Sequence, residues 1–261
     1  MPPKKSLGQN FLMHPQIAER IVDVANLPPE ATILEIGPGT GMLTRVLLTR
    51  AKKVVAIEAD DQLVPQLEET FANEIAAGTL ELIHGDIRGF DPATIAGEYH
   101  LVANIPYYIT GEIIRSFLTA AHKPLSMTLL VQKEVAERIA RSKKESLLSL
   151  SVKVFGKPEY CFTVPRGAFR PAPNVDSAVL AIRNINPDAF PSLEAEERFF
   201  SIIRAGFAHK RKRLAKNLEA VAPAELILTA FVEAALNKDI RPEDVSLGTW
   251  RRLASLFTPA A

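Results

Sequence analysis

With 261 residues, 47% hydrophobic and 23% charged, the chain has ordinary globular composition and room for one large domain plus a small one. A net charge of +1 and a pI near 7.9 exclude a globally basic body, so a nucleic-acid partner must be met by local basic patches. The single cysteine, Cys161, excludes an intrachain disulfide and a cysteine-built metal cluster and suits a reducing cytoplasm, and no apolar run suits a signal peptide or a membrane span.

The opening segment 4–12 (KKSLGQNFL) pairs two lysines and two amides with the apolar anchors Phe11 and Leu12, so it is expected to dock on the body and not to trail as a tail. Ile17, Ile21, Val22 and Val24-Ala25 then predict an amphipathic helix ending near Pro28-Pro29. Residues 31–36 form an apolar strand that runs into Gly37-Pro38-Gly39-Thr40-Gly41, followed by a helix over 42–48. Strand, glycine turn and helix make the start of a nucleotide-binding α/β sheet. The spacing is G-x-G-x-G with Glu35 two residues ahead, not the G-x-G-x-x-G of a dinucleotide site. That departure argues against NAD and for S-adenosylmethionine, which has a ribose and a charged amino-acid tail but no pyrophosphate.

Strands are predicted over 54–57, 80–84, 99–103 and 127–131, with helices over 61–76, 111–121 and 132–140 between them. Glu58 closes the second strand, where a carboxylate can accept from both ribose hydroxyls. Gly85-Asp86 closes the third and sets Asp86 to accept from an adenine amine. The fourth delivers Asn104-Ile105-Pro106-Tyr107-Tyr108. An aromatic exocyclic amine is a poor nucleophile because its lone pair is drawn into the ring. The Asn104 side-chain oxygen and the Ile105 carbonyl could each accept one amine hydrogen and draw the nitrogen toward a tetrahedral shape. Pro106 holds Ile105 extended and so fixes where that carbonyl points. Tyr107 offers a face on which a base could stack, worth roughly 1–3 kcal/mol. Gly37, Glu58, Asp86 and Asn104 all fall at carboxyl ends of successive strands, the edge where open parallel sheets bind ligands.

Two further strands, over 147–155 and 175–183, are expected as an antiparallel pair at the sheet edge. Between them Arg166 and Arg170 bracket Phe169 in a proline-stiffened loop, where Phe169 could be core or a second stacking face opposite Tyr107. From about Pro187 only helices are expected. Phe199, Ile202, Ile203 and Phe207 fall at helical spacing and should be core, and Trp250, Leu253 and Leu256 should pack a final helix. His209-Lys210-Arg211-Lys212-Arg213 and Lys216 form a basic cluster at a helix start. Positive charge there opposes the helix dipole, so phosphate is a reasonable partner.

KSLGQNFL, EIGPGTG, Glu58, Gly85-Asp86, NIPYY and AFRPAPNVDSAV resemble, in this order, the motifs of the ribosomal RNA adenine N6-dimethyltransferases, over residues 4 to about 219. NIPYY with FRPAPNVDSAV is the specific part; the glycine loop is not. VDSAV and FAHKRKRLAKNL are more similar to the small-subunit enzymes than to the large-subunit resistance methylases. The resemblance implies a Rossmann-like, seven-stranded, mostly parallel sheet of class I methyltransferase type over residues 1–186, with a small all-α RNA-binding domain over 187–261. It implies S-adenosylmethionine as cofactor, with Asn10 and Leu12 closing over it and Gly37, Gly39, Glu58, Asp86 and Asn104 contacting it. Asn104, Ile105, Pro106, Tyr107 and Phe169 would carry the chemistry, with Tyr107 and Phe169 holding a flipped adenine. Arg166, Arg170, Lys210, Arg211 and Lys212 would meet RNA, with Lys210 replacing an arginine of the family pattern. The implied product is a pair of adjacent N6,N6-dimethyladenosines in a hairpin loop near the 3′ end of small-subunit RNA. The implied substrate is that RNA or a pre-assembled small subunit, acted on by a cytoplasmic monomer that needs no metal. The rivals are a large-subunit RNA methylase, a DNA adenine methyltransferase, a non-catalytic nucleic-acid-binding relative and an NAD oxidoreductase.

Overall fold

The structure, a computed structural model, describes residues 7–209 and 211–257. Along the chain, β1 (Phe11–Leu12) and α1 (Pro15–Ala25) lead into β2 (Thr32–Ile36), α2 (Met42–Leu47) and β3 (Lys53–Glu58). Next come α3 (Val64–Thr70), α4 (Ala72–Ala76), β4 (Leu80–His84), β5 (Tyr99–Asn104), α5 (Thr110–Thr119), β6 (Ser126–Gln132) and α6 (Lys133–Ala140). The chain continues with α7 (Leu147–Lys153), β7 (Lys157–Val164), β8 (Phe169–Arg170) and β9 (Ser177–Arg183). Four helices complete it, α8 (Leu193–Gly206), α9 (Leu214–Leu218), α10 (Ala224–Glu233) and α11 (Leu247–Leu256).

Seven strands form one sheet in the order β4-β3-β2-β5-β6-β9-β7, parallel from β4 to β6 and antiparallel at β9 and β7. The chain winds outward from β2 in both directions, so the order reverses between β2 and β5. A crevice opens beyond the carboxyl ends of strands at such a switch point. Side-chain alternation sends Ile33, Val54, Ala56, Val102 and Leu130 to the face covered by α1, α2 and α3. Leu34, Val55, Ile57, Leu101 and Leu129 go to the other face, under α5, α6 and α7.

Two expectations need correction. Residues 147–155 are not a strand but mostly α7. Ser146 caps it by accepting from the Ser149 amide at 3.1 Å, and Ser149 Oγ accepts from the Ser146 amide at 2.7 Å. Ser149, Leu150, Ser151 and Val152 are all buried, so the segment shows no one-sided period to read. The partner of β9 is instead β7, an edge strand that tolerates Pro158 because its outer side forms no ladder. The predicted 61–76 helix is broken at Phe71 (φ −115°, ψ 27°), whose ring lies against Gly41.

The helices after residue 187 share one apolar cluster with the sheet. Phe155 stacks on Phe200 at 6.0 Å between centroids, and Phe190 meets Phe199 at 5.3 Å. Arg251 donates to the Val154 carbonyl at 2.9 Å, and Lys144 pairs with Glu243. Trp250 and Leu253 are fully buried on α11.

Candidate active site

A cleft of about 820 Å³, counting space open to solvent, lies at the β2/β5 switch point. Gly37, Glu58, Asp86 and Asn104, the four strand-end residues, line it together with Gly39, Ile105, Pro106 and Tyr107. The arm closes one side through Gly8, Gln9, Asn10 and Phe11.

The glycine turn is built for close approach. Gly39 has φ +60°, and a Cβ there would come within 3.0 Å of the Phe11 ring. Gly41 has φ +78°, and its Cβ would sit 2.5 Å from the Phe71 ring. Neither position accepts a side chain without displacing an aromatic ring.

Glu58 ties this turn to β3. Its Oε2 accepts from the Gly39 amide at 3.0 Å and its Oε1 from the Asp60 amide at 2.9 Å. Burial raises its pKa, and the two amide contacts oppose that rise. The carboxylate is thus oriented with acceptor capacity left over. Glu35, deeper on β2, is 1% exposed, and Oε2 has no hydrogen-bond partner among the described residues. Burial pushes its pKa up to about 8. The nearby Thr44 hydroxyl offsets part of that shift, although no well-formed hydrogen bond joins the two, and the Glu58 charge adds to it.

Asp86 is held by Arg88. The guanidinium reaches both carboxylate oxygens (Nε at 3.0 Å to each, Nη2 at 2.5 Å), and the Arg88 amide donates to Oδ1 at 2.9 Å. These contacts hold the Asp86 carboxyl below its usual range, the guanidinium contributing most.

Asn104 ends β5 with its Nδ2 donating to the Asn10 carbonyl at 3.0 Å. Its Oδ1 and the Ile105 carbonyl accept no hydrogen bond from the described residues. Two acceptors with spare capacity therefore stand on consecutive residues that line the cleft. Pro106 takes φ −54° and ψ 130° and starts a short 3₁₀ turn, Tyr107–Ile109. The Tyr107 hydroxyl bonds Ser177 Oγ at 2.6 Å, which pins the ring at the cleft.

Phe169 is the main correction. It is 2% exposed, packs with Leu12, Val164, Ala168 and Val179, and does not line the cleft. Its strand, β8, pairs antiparallel with β1, matching Leu12 to Phe169 and Phe11 to Arg170. Burying such a ring gains about 1.5–3 kcal/mol over leaving it exposed, so the apolar seam beneath the arm takes it. The expected sandwich of Tyr107 and Phe169 is therefore not present. Leu12 is likewise in this seam, and Phe11 is the arm residue against the glycine turn.

Arg166 and Arg170 are exposed, the Arg166 amide donating to Asp176 Oδ1 at 2.9 Å. Arg211, Lys212 and Arg213 are exposed in the turn before α9, not within it, and Arg213 pairs with Asp239 at 2.9 Å. Lys210 and the first three residues of the KKSLGQNFL segment lie outside the described residues. Sequence patterns missed Ser177 and Arg88, and gave Phe11 only as an anchor of the arm. Ser177 stood inside VDSAV, but its contact with Tyr107 spans 70 positions.

Sheet order, glycine turn and strand-end acids define a class I methyltransferase fold. A family model described as "Ribosomal RNA adenine dimethylase" matches residues 2–258. "Ribosomal RNA small subunit methyltransferase A" of Dehalococcoides mccartyi strain 195 is 40% identical, over 98% of this chain and 88% of that protein. Its namesake from Geobacillus thermodenitrificans is 42% identical, over 98% and 91%. Among solved structures, a dimethyladenosine transferase from Plasmodium falciparum superposes with a TM-score of 0.80 at 25% identity, over 93% of this chain and 95% of that one. The 23S rRNA methyltransferase ErmE gives 0.76 at 27%, over 95% and 99%. The chain belongs to the ribosomal RNA adenine dimethylase family.

Proposed function

We propose that this protein transfers methyl groups from S-adenosylmethionine to N6 of two adjacent adenosines in the 3′-terminal hairpin loop of small-subunit ribosomal RNA, as a step in subunit biogenesis. The observation that carries this is the pair of open acceptors, Asn104 Oδ1 and the Ile105 carbonyl, beside the glycine turn. The cleft's donor set fits the cofactor. Gly37 leaves room against the backbone, Glu58 has acceptor capacity for ribose hydroxyls, and Asp86 would be an acid for the adenine end. When bound, the cofactor supplies a methyl group on an electrophilic sulfonium sulfur.

The chain's own residues do the rest. Asn104 Oδ1 and the Ile105 carbonyl accept the two amine hydrogens and raise electron density on the nitrogen, an electrostatic contribution fixed before the reaction begins. Tyr107, tethered by Ser177, presents a face for the target base, which must leave its stack at a cost of a few kcal/mol. Phe11 and the arm limit water at the transfer point. The methylated nitrogen becomes acidic enough to lose its proton to water, so no strong base is required. Exposed Arg211 and Lys212, with Lys210, would hold backbone phosphate, and Arg166 and Arg170 would meet RNA nearer the cleft.

The small-subunit assignment is supported by identities of 40–42% to small-subunit enzymes against 27% to ErmE. A single substitution tests the site. Asn104→Ala should reduce methylation at least a thousandfold while cofactor affinity changes less than tenfold; near-normal turnover would refute it.

A further inference from the structure

We propose that the N-terminal arm is a positioning element for methyl transfer, acting through the main-chain carbonyl of Asn10 on the side-chain amide of Asn104. This rests on Asn104 Oδ1 being the acceptor for the target amine. A carboxamide turns about χ2 between two orientations of similar intrinsic energy, and only one of them serves. With Oδ1 toward the cleft it accepts an amine hydrogen; flipped, it would oppose donor to donor.

The Asn10 carbonyl removes that ambiguity. It lies 3.0 Å from Nδ2, and a carbonyl can only accept, so the flipped amide would set oxygen against oxygen. The carbonyl is itself held from both sides. Before it, Gln9 Nε2 donates to Asp60 Oδ2 at 2.7 Å, and Asn10 Nδ2 donates to the Gly8 carbonyl at 3.1 Å. After it, β1 pairs with β8, the Met13 amide donates to the Ala168 carbonyl at 2.9 Å, and Leu12 is buried against Phe169. The core placement of Phe169 thereby acquires a role. It anchors the strand that aims the arm's carbonyl at Asn104, so docking of the arm and orientation of the amide are one event.

The coupling is reciprocal, which gives two independent readouts. Leu12 does not line the cleft. Leu12→Ala should loosen the arm and lower kcat at least fivefold at saturating cofactor and RNA, with kcat expressed per cofactor-binding chain. Leu12→Met should restore it. In the other direction, Asn104→Asp replaces the donor by an oxygen facing the Asn10 carbonyl, and hydrogen exchange at the Met13 amide should accelerate at least tenfold. If Leu12→Ala changes kcat less than fivefold, shifting only the cofactor KM, the arm is a cover and not a positioning element. Unchanged exchange at Met13 in Asn104→Asp would overturn the proposal equally. Activity in Asn104→Ala would instead remove the role of Asn104 itself, a separate failure.

Discussion

Glu35 holds its carboxyl behind the glycine turn with no hydrogen-bond partner for Oε2 among the described residues, and burial pushes its pKa up to about 8. In the unfolded chain the group would titrate near its ordinary value of 4.5. The native state therefore keeps a proton that the unfolded state releases between those two values, and stability must fall as pH rises through that window. Glu35→Gln should flatten the pH dependence of denaturant unfolding between pH 5 and 8. An identical slope in the variant would show that Glu35 ionises freely. Ser177 is the second residue to test. Ser177→Ala removes the partner of the Tyr107 hydroxyl and should lower kcat/KM for RNA about five- to tenfold, the worth of about one hydrogen bond. The Asn104–Tyr107 stretch was legible in the sequence because its chemistry is local: an amide, a proline that fixes the preceding carbonyl, and a ring. Phe169 was not, because its burial is decided by pairing with Leu12, more than 150 positions away.

At the scale of elements, the parallel half of the sheet could be read directly, since β2, β3, β5 and β6 are apolar runs closed by Gly37, Glu58, Asn104 and Gln132. The antiparallel edge could not. Residues 147–153 bury leucine, valine and serine on several sides, which fits helix and strand alike, and only the Ser146–Ser149 capping pair decides for helix. Pro158 disguised β7, because a proline argues against a strand unless the strand is an edge. At the break between α3 and α4, Phe71 fills the space a Cβ on Gly41 would need. Gly41→Ala should therefore cost about 2–4 kcal/mol, the sum of a left-handed backbone and an overpacked ring. Thermal unfolding checks this; an unchanged midpoint would mean that α3 and α4 move aside freely.

Over the whole molecule the charge balance is nearly neutral, so RNA affinity must come from where the cations lie. The exposed run before α9 and the arginines around β8 place basic groups at two distant points of the chain. Arg213 is already paired with Asp239, whereas no ion pair engages Arg211 or Lys212 among the described residues. Replacing Arg211 and Lys212 together with glutamine should weaken RNA binding and flatten the slope of log K against log salt by roughly 1–1.5. An unchanged slope would return that cluster to plain solvated surface. No helix among the described residues is long and apolar enough to cross a membrane. The most direct measurement follows methyl groups from labelled S-adenosylmethionine into small-subunit RNA and partly assembled small subunits, maps the modified bases, and repeats the assay with Asn104→Ala. The expected result is two adjacent N6,N6-dimethyladenosines in the 3′-terminal hairpin loop with the wild-type protein and none with the variant. Label in large-subunit RNA, on another atom of the base, or undiminished in the variant would contradict the account.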